Sequence, residues 1–146
     1  MDIKLNWNGG LAFEGAGDSG FVQRMDSENS AASPMEFIAL GLAGCTGMDV
    51  ISILQKKKQP VKSFQVMVHA DRAEEHPKVF TRAVIEYLVT GRDVEEVALL
   101  RAIELSAEKY CPAQAMLSKS FPMQLVYKIF DEDGVTVLKE GSYTPK

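Results

Sequence analysis

One stretch constrains this chain more than any other. Ser33-Pro34-Met35-Glu36 joins an N-cap serine, a proline at the first helical position and a glutamate at the third. That combination is a capping box, and it opens a helix. From Phe37 to Leu54 the apolar residues occupy nearly every face, which predicts a helix buried on all sides. Lys56, Lys57 and Lys58 complement the negative end of its dipole, and Pro60 ends it. The basic run is thereby read as a helix terminus and a solubilising patch. Asp49, Ser52 and three glycines interrupt the apolar residues, which argues against a membrane span. Such a helix needs cover from every direction, more than the flanking layers of one 146-residue chain supply, so a homodimer is expected.

The flanking segments show what would pack on that helix. Short strand-like pieces, Ile3 to Trp7, Leu11 to Phe13 and Phe21 to Met25, are separated by Asn8-Gly9-Gly10 and Gly15-Ala16-Gly17-Asp18, a pattern that predicts an antiparallel meander. Residues 26–32 read as a polar loop. After the helix, Val61 to Ala70 and Phe80 to Val89 alternate around a polar loop and predict a hairpin. Asp93-Val94-Glu95-Glu96 reads as a second capping box, opening an amphipathic helix through Ala98, Ala102 and Leu105 to about Tyr110. Phe121 to Ile129 returns to strand periodicity, and Asp133-Gly134 turns the chain into a short last strand, Val135 to Leu138. The order predicts an α+β fold in one domain spanning residues 1–146, with antiparallel sheets around a long central helix.

Composition narrows the function classes. A net charge of −4 argues against nucleic acid or an anionic membrane as partner. Two cysteines are too few for a disulfide scaffold, and without CxxC spacing they give no zinc signature. His69 and His76 form no metal-binding arrangement, and His69 reads as a solvent-facing strand residue. No metal and no cofactor are expected. Met1-Asp2-Ile3-Lys4 leads into asparagines and glycines rather than an apolar leader, so a cytoplasmic, reduced protein is expected.

The two cysteines are the candidate chemistry. Cys45 lies in Gly41-Leu42-Ala43-Gly44-Cys45-Thr46-Gly47, with Gly41, Gly44, Met48 and Asp49 on its helical face. Interior glycines cost about 1 kcal/mol each against alanine, so a close backbone or ligand is expected there. Tight helix packing explains them equally well. Asp49 would raise a neighbouring thiol's pKa unless a cation compensates, and Arg24 is the only arginine before the helix. Arg24 reads alternatively as a strand-end surface charge. Glu36 is committed to the capping box and sits about 180° around the helix from Cys45. Cys111 precedes Pro112 at a helix start, where the positive end of the dipole favours a thiolate and Lys109 would add to it. The plain alternative for both is an inert buried cysteine, with Cys111 an ordinary N-cap.

Ser33 to Phe37 running into Leu42-Ala43-Gly44-Cys45-Thr46, with Lys109-Tyr110-Cys111-Pro112-Ala113 about 65 residues later, resembles the OsmC/Ohr family. Gly44 to Leu54 is most similar to a less characterised OsmC-like branch. The resemblance implies an intertwined homodimer in which sheets from both chains wrap the two central helices. It also implies a thiol-dependent peroxidase of the oxidative stress response, reducing organic hydroperoxides. Cys45 matches the peroxide-attacking cysteine, Cys111 the resolving one, and an external thiol or dithiol reductant would reopen their disulfide. The chain departs from the better-known members in one place. They carry a glutamate ten residues before the first cysteine, paired with an arginine of the N-terminal strands. Here that position is Met35, with Glu36 one place off, and only Arg24 is available. The alternative implied is an OsmC-like small-molecule-binding or redox-sensing protein without efficient peroxidase turnover.

Overall fold

A computed structural model describes all 146 residues, whose internal contacts gather into two compact units, Met1–Leu40 and Gly41–Lys146. The first unit is the predicted meander. Strands β1 (Lys4–Trp7), β2 (Ala12–Ala16) and β3 (Gln23–Asp26) pair antiparallel in chain order. Gly9 and Gly10 make the first turn with φ of 94° and 55°, the left-handed region that side chains disfavour. Ile3, Leu5, Phe21, Met25 and Phe37 line an apolar cavity of about 450 Å³ in this unit.

Helix α1 (Pro34–Lys56) begins as the sequence predicts. The Ser33 backbone N–H donates to Glu36 Oε2 at 2.6 Å, and the Glu36 N–H donates to Ser33 Oγ at 3.3 Å. At the other end Lys58 takes φ 53°, its N–H bonds the Gln55 carbonyl, and the Gln59 N–H reaches back to Leu54. That is a Schellman stop built on lysine instead of glycine.

The second unit holds the rest of α1, helices α2 (Glu96–Leu105) and α3 (Pro112–Leu117), and a four-stranded sheet. Its strands are β4 (Ser63–Arg72), β5 (Phe80–Thr90), β6 (Met123–Phe130) and β7 (Val137–Tyr143), in that order. The core is built from Val50 and Leu54 of α1, Ile85 and Val89 of β5, Leu99 and Ile103 of α2, and Leu125 and Ile129 of β6. The hairpin β4–β5 forms as expected.

Three expectations are corrected. The sheet is mixed: β5 and β6 run parallel, because α2 and α3 form a crossover between them, where a tight turn would have reversed the chain. Asp93 does not cap α2. The helix starts later, at Glu96, and the Glu95 N–H donates to Gln59 Oε1 at 2.8 Å. Helix α1, apolar all round, is fully buried by its own chain only at Leu42, Thr46, Gly47, Val50 and Leu54. Leu40 and Met48 stand 61% and 73% exposed.

Candidate functional site around two thiols

The stretch that presents Cys111 owes its shape to a local irregularity. Residues Ser106–Tyr110 extend α2 by a π-helical turn, and its closing bond runs from the Cys111 N–H to the Ser106 carbonyl at 2.9 Å. Single π turns in an otherwise α-helical run often mark functional positions. Cys111 then leaves the helical region (φ −80°, ψ 104°) and caps α3, with Pro112 at the first helical position. Its sulfur accepts the Gln114 backbone N–H at 3.3 Å. The expected N-cap is therefore present.

The expected electrostatics are not. Cys111 is 3% exposed, and burial pushes its thiol up to about 12 from the usual 9.0. The Gln114 N–H pulls the other way and loses. The nearby Cys45 thiol and the charge of Asp49 add to the rise. Lys109 does not help Cys111. Its ammonium lies over the Tyr110 ring, 5.2 Å from the centroid. Cys45 is half-buried, and both thiols are free.

Around the pair is a polar cluster that sequence reasoning did not assemble. Thr46 Oγ1 is the centre, 2.7 Å from the Tyr87 hydroxyl, 2.9 Å from Ser106 Oγ and 2.9 Å from Gln114 Nε2. Ser106 Oγ donates to Asp49 Oδ2 at 2.9 Å. Thr46, Ser106, Gln114 and Tyr87 are all buried, and burial pushes the Tyr87 phenol up to about 12. No buried side-chain nitrogen or oxygen in the chain lacks a partner. A signal was available. Ser106 continues the buried α2 stripe Leu99, Ala102 and Ile103, and Thr46 continues the buried stripe of α1. A polar residue on an apolar stripe demands a partner.

The remaining candidates have visible occupations. Arg24 pairs with Glu14 across the β2–β3 register at 3.3 Å, both side chains being exposed. Glu36 completes the helix cap. Asp49 holds Ser106, and it borders a cavity of about 380 Å³ that Lys56, Lys57, Leu105 and Tyr110 also line. His69 pairs with Glu86 at 3.2 Å on the sheet surface.

Comparison with known proteins points in one direction. The model of the OsmC-like protein family matches residues 27–126. Protein YhfA of Escherichia coli K12 is 40% identical over 131 residues, covering 88% of this chain and 98% of its own. A hypothetical protein from Aquifex aeolicus superposes with a TM-score of 0.82 at 31% identity, over 90% of this chain and 96% of that one. The organic hydroperoxide resistance protein OhrB of Bacillus subtilis shares the fold, with a TM-score of 0.58 at 16% identity over 88% and 98% of the two chains.

Proposed function

This chain belongs to the OsmC-like protein family, and on that footing we propose that it is a redox-responsive dithiol protein in which Cys45 and Cys111 interconvert with a disulfide. One observation supports the reading: Cys45 is near a buried Cys111, beside a cluster in which every buried polar side-chain atom is paired. In the oxidising step the half-buried Cys45 thiolate attacks an organic hydroperoxide. The O–O bond breaks, the alcohol leaves after taking a proton, and Cys45 becomes a sulfenic acid. The Cys111 thiol then displaces hydroxide from that sulfur, its proton leaves in the water formed, and an external thiol or dithiol reopens the disulfide.

Two features favour sensing over sustained peroxidase turnover. Cys111 is held protonated, whereas fast resolution needs a thiolate. Arg24 and Glu36, nearest to the activating pair of the better-known members, are engaged with Glu14 and Ser33. The relatives above 30% identity carry names without an activity, and OhrB, named for hydroperoxide resistance, shares 16% of its residues. Peroxidase turnover remains the second reading, favoured by the retention of both cysteines.

The working form is a homodimer in a reducing, cytoplasmic setting. A second copy would cover the face of α1 that carries Leu40, Met48, Gly41 and Gly44, where added Cβ atoms on the two glycines meet nothing in their own chain. The deciding experiment counts free thiols after an organic hydroperoxide is added, with and without a dithiol reductant. Loss of both thiols once, with little hydroperoxide consumed beyond one equivalent, supports the sensor. Many equivalents consumed in the presence of reductant establish the peroxidase. No thiol loss sinks both.

A further inference from the structure

We propose that the Thr46 hydroxyl sets the reach between Cys45 and Cys111, with Ser106 and Gln114 as the positioning residues that transmit it. The proposal deepens the dithiol reading and rests on the same pair of cysteines.

Cys111 is held from two sides. Its N–H bonds the Ser106 carbonyl at 2.9 Å, and its sulfur accepts the Gln114 N–H at 3.3 Å. The side chains of those same two residues then converge on one atom, Thr46 Oγ1, each at 2.9 Å. Thr46 directly follows Cys45 in α1. Cys111 is thus tied to the residue beside Cys45 through hydrogen bonds that converge on a single hydroxyl.

Proton counting shows that this set has one arrangement. The Asp49 carboxylate only accepts, so Ser106 spends its one hydroxyl proton there. Thr46 must then donate to Ser106, and Tyr87 must donate to Thr46. The amide nitrogen of Gln114, not its oxygen, has to face Thr46. No rotor is left free, and any slip of the Cys111 segment along α1 would strand a buried donor or acceptor. Fixing two reacting groups in this way raises their effective concentration toward one another.

The test needs no hydroperoxide. The full-length protein is equilibrated with oxidised and reduced glutathione, so that Cys45 and Cys111 form their disulfide while two electrons and two protons pass to the reagent, giving two reduced glutathiones. Alkylation of the remaining thiols and mass spectrometry give the equilibrium constant, which is the effective concentration of the pair. The constant should fall on the order of tenfold to a hundredfold in Thr46→Val and in Gln114→Met, and recover in Thr46→Ser. In urea all four proteins should converge on the low value of the unfolded chain. A Thr46→Val protein that cannot fold shows the urea value already in buffer, and Gln114→Met then decides. Thr46→Val and Gln114→Met equal to wild type in buffer, or a wild-type constant no higher in buffer than in urea, overturn the proposal. A wild-type protein that closes the disulfide with glutathione yet loses no thiol to hydroperoxide defeats the hydroperoxide reading alone.

Discussion

Gln114 Nε2 donates to Thr46 Oγ1 at 2.9 Å, binding the residue three places after one cysteine to the residue directly after the other. Sixty-eight positions separate the two partners in sequence, and α3 is held to α1 next to both cysteines. The cysteine pair is therefore a product of the buried cluster as much as of the cysteines themselves.

Substituting each cysteine should separate their roles. Cys45→Ser should abolish thiol loss to an organic hydroperoxide, because a serine hydroxyl is hardly ionised near neutral pH. Cys111→Ser should still allow one oxidation of Cys45 and then stall, over-oxidising to the sulfinic acid when hydroperoxide is in excess. Mass spectrometry of the treated variants reads both outcomes. A Cys111→Ser protein whose Cys45 gains no oxygen would reverse the assignment.

Removing the Thr46 hydroxyl should cost stability in its own right. Thr46→Val keeps the shape and leaves the Tyr87, Ser106 and Gln114 groups short of a partner. Unsatisfied buried groups cost about 1–3 kcal/mol each, so a loss of about 3 kcal/mol is expected in urea titrations. Thr46→Ser should lose much less, about 1 kcal/mol. Equal midpoints for Val and Ser would show that the hydroxyl carries no weight.

Alkaline pH should weaken the fold through the same thiol. The Cys111 pKa is about 12 in the folded chain against 9.0 ordinarily, so the folded state holds its proton more tightly than the unfolded one. Its contribution is complete below about pH 9 and is lost as pH rises toward 12. Tyr87, raised from 10.0 to about 12, acts in the same direction. Stability measured from pH 8 to 11 should fall, and fall less steeply in Cys111→Ala. A slope unchanged by that substitution would reject the assignment to Cys111.

Gly44 tests the assembly. A Cβ added there meets nothing within 4 Å in its own chain, and leucine is the better helix former by about 0.8 kcal/mol. Gly44→Leu should leave the helix intact while hindering the approach of a second copy. Sedimentation at micromolar concentration should find a dimer for the wild type and a shift toward monomer for the variant. A monomeric wild type would end the dimer proposal.

Local chemistry made the frame of this protein readable from its residues. The Ser33–Glu36 cap, Pro34 at the helix start and the Gly9-Gly10 turn act across a few neighbouring residues, so each forms wherever the chain places it. The same locality marked Cys45 and Cys111 as the residues to watch. It failed where a distant group competed: Gln59, thirty-six positions away, takes the Glu95 N–H, and the helix predicted from Asp93 begins later. Whether β6 joins β5 parallel or antiparallel was settled by the crossover through α2 and α3, a property of connection rather than of strand pattern. The Cys111 thiol shows the limit most plainly. Its place at a helix start pointed to an easily ionised sulfur, but the surrounding core removed the water a thiolate needs, and burial outweighed the local N–H. Desolvation and hydrogen-bond pairing among Thr46, Tyr87, Ser106 and Gln114 depend on groups far apart in sequence, so only the folded chain could decide them.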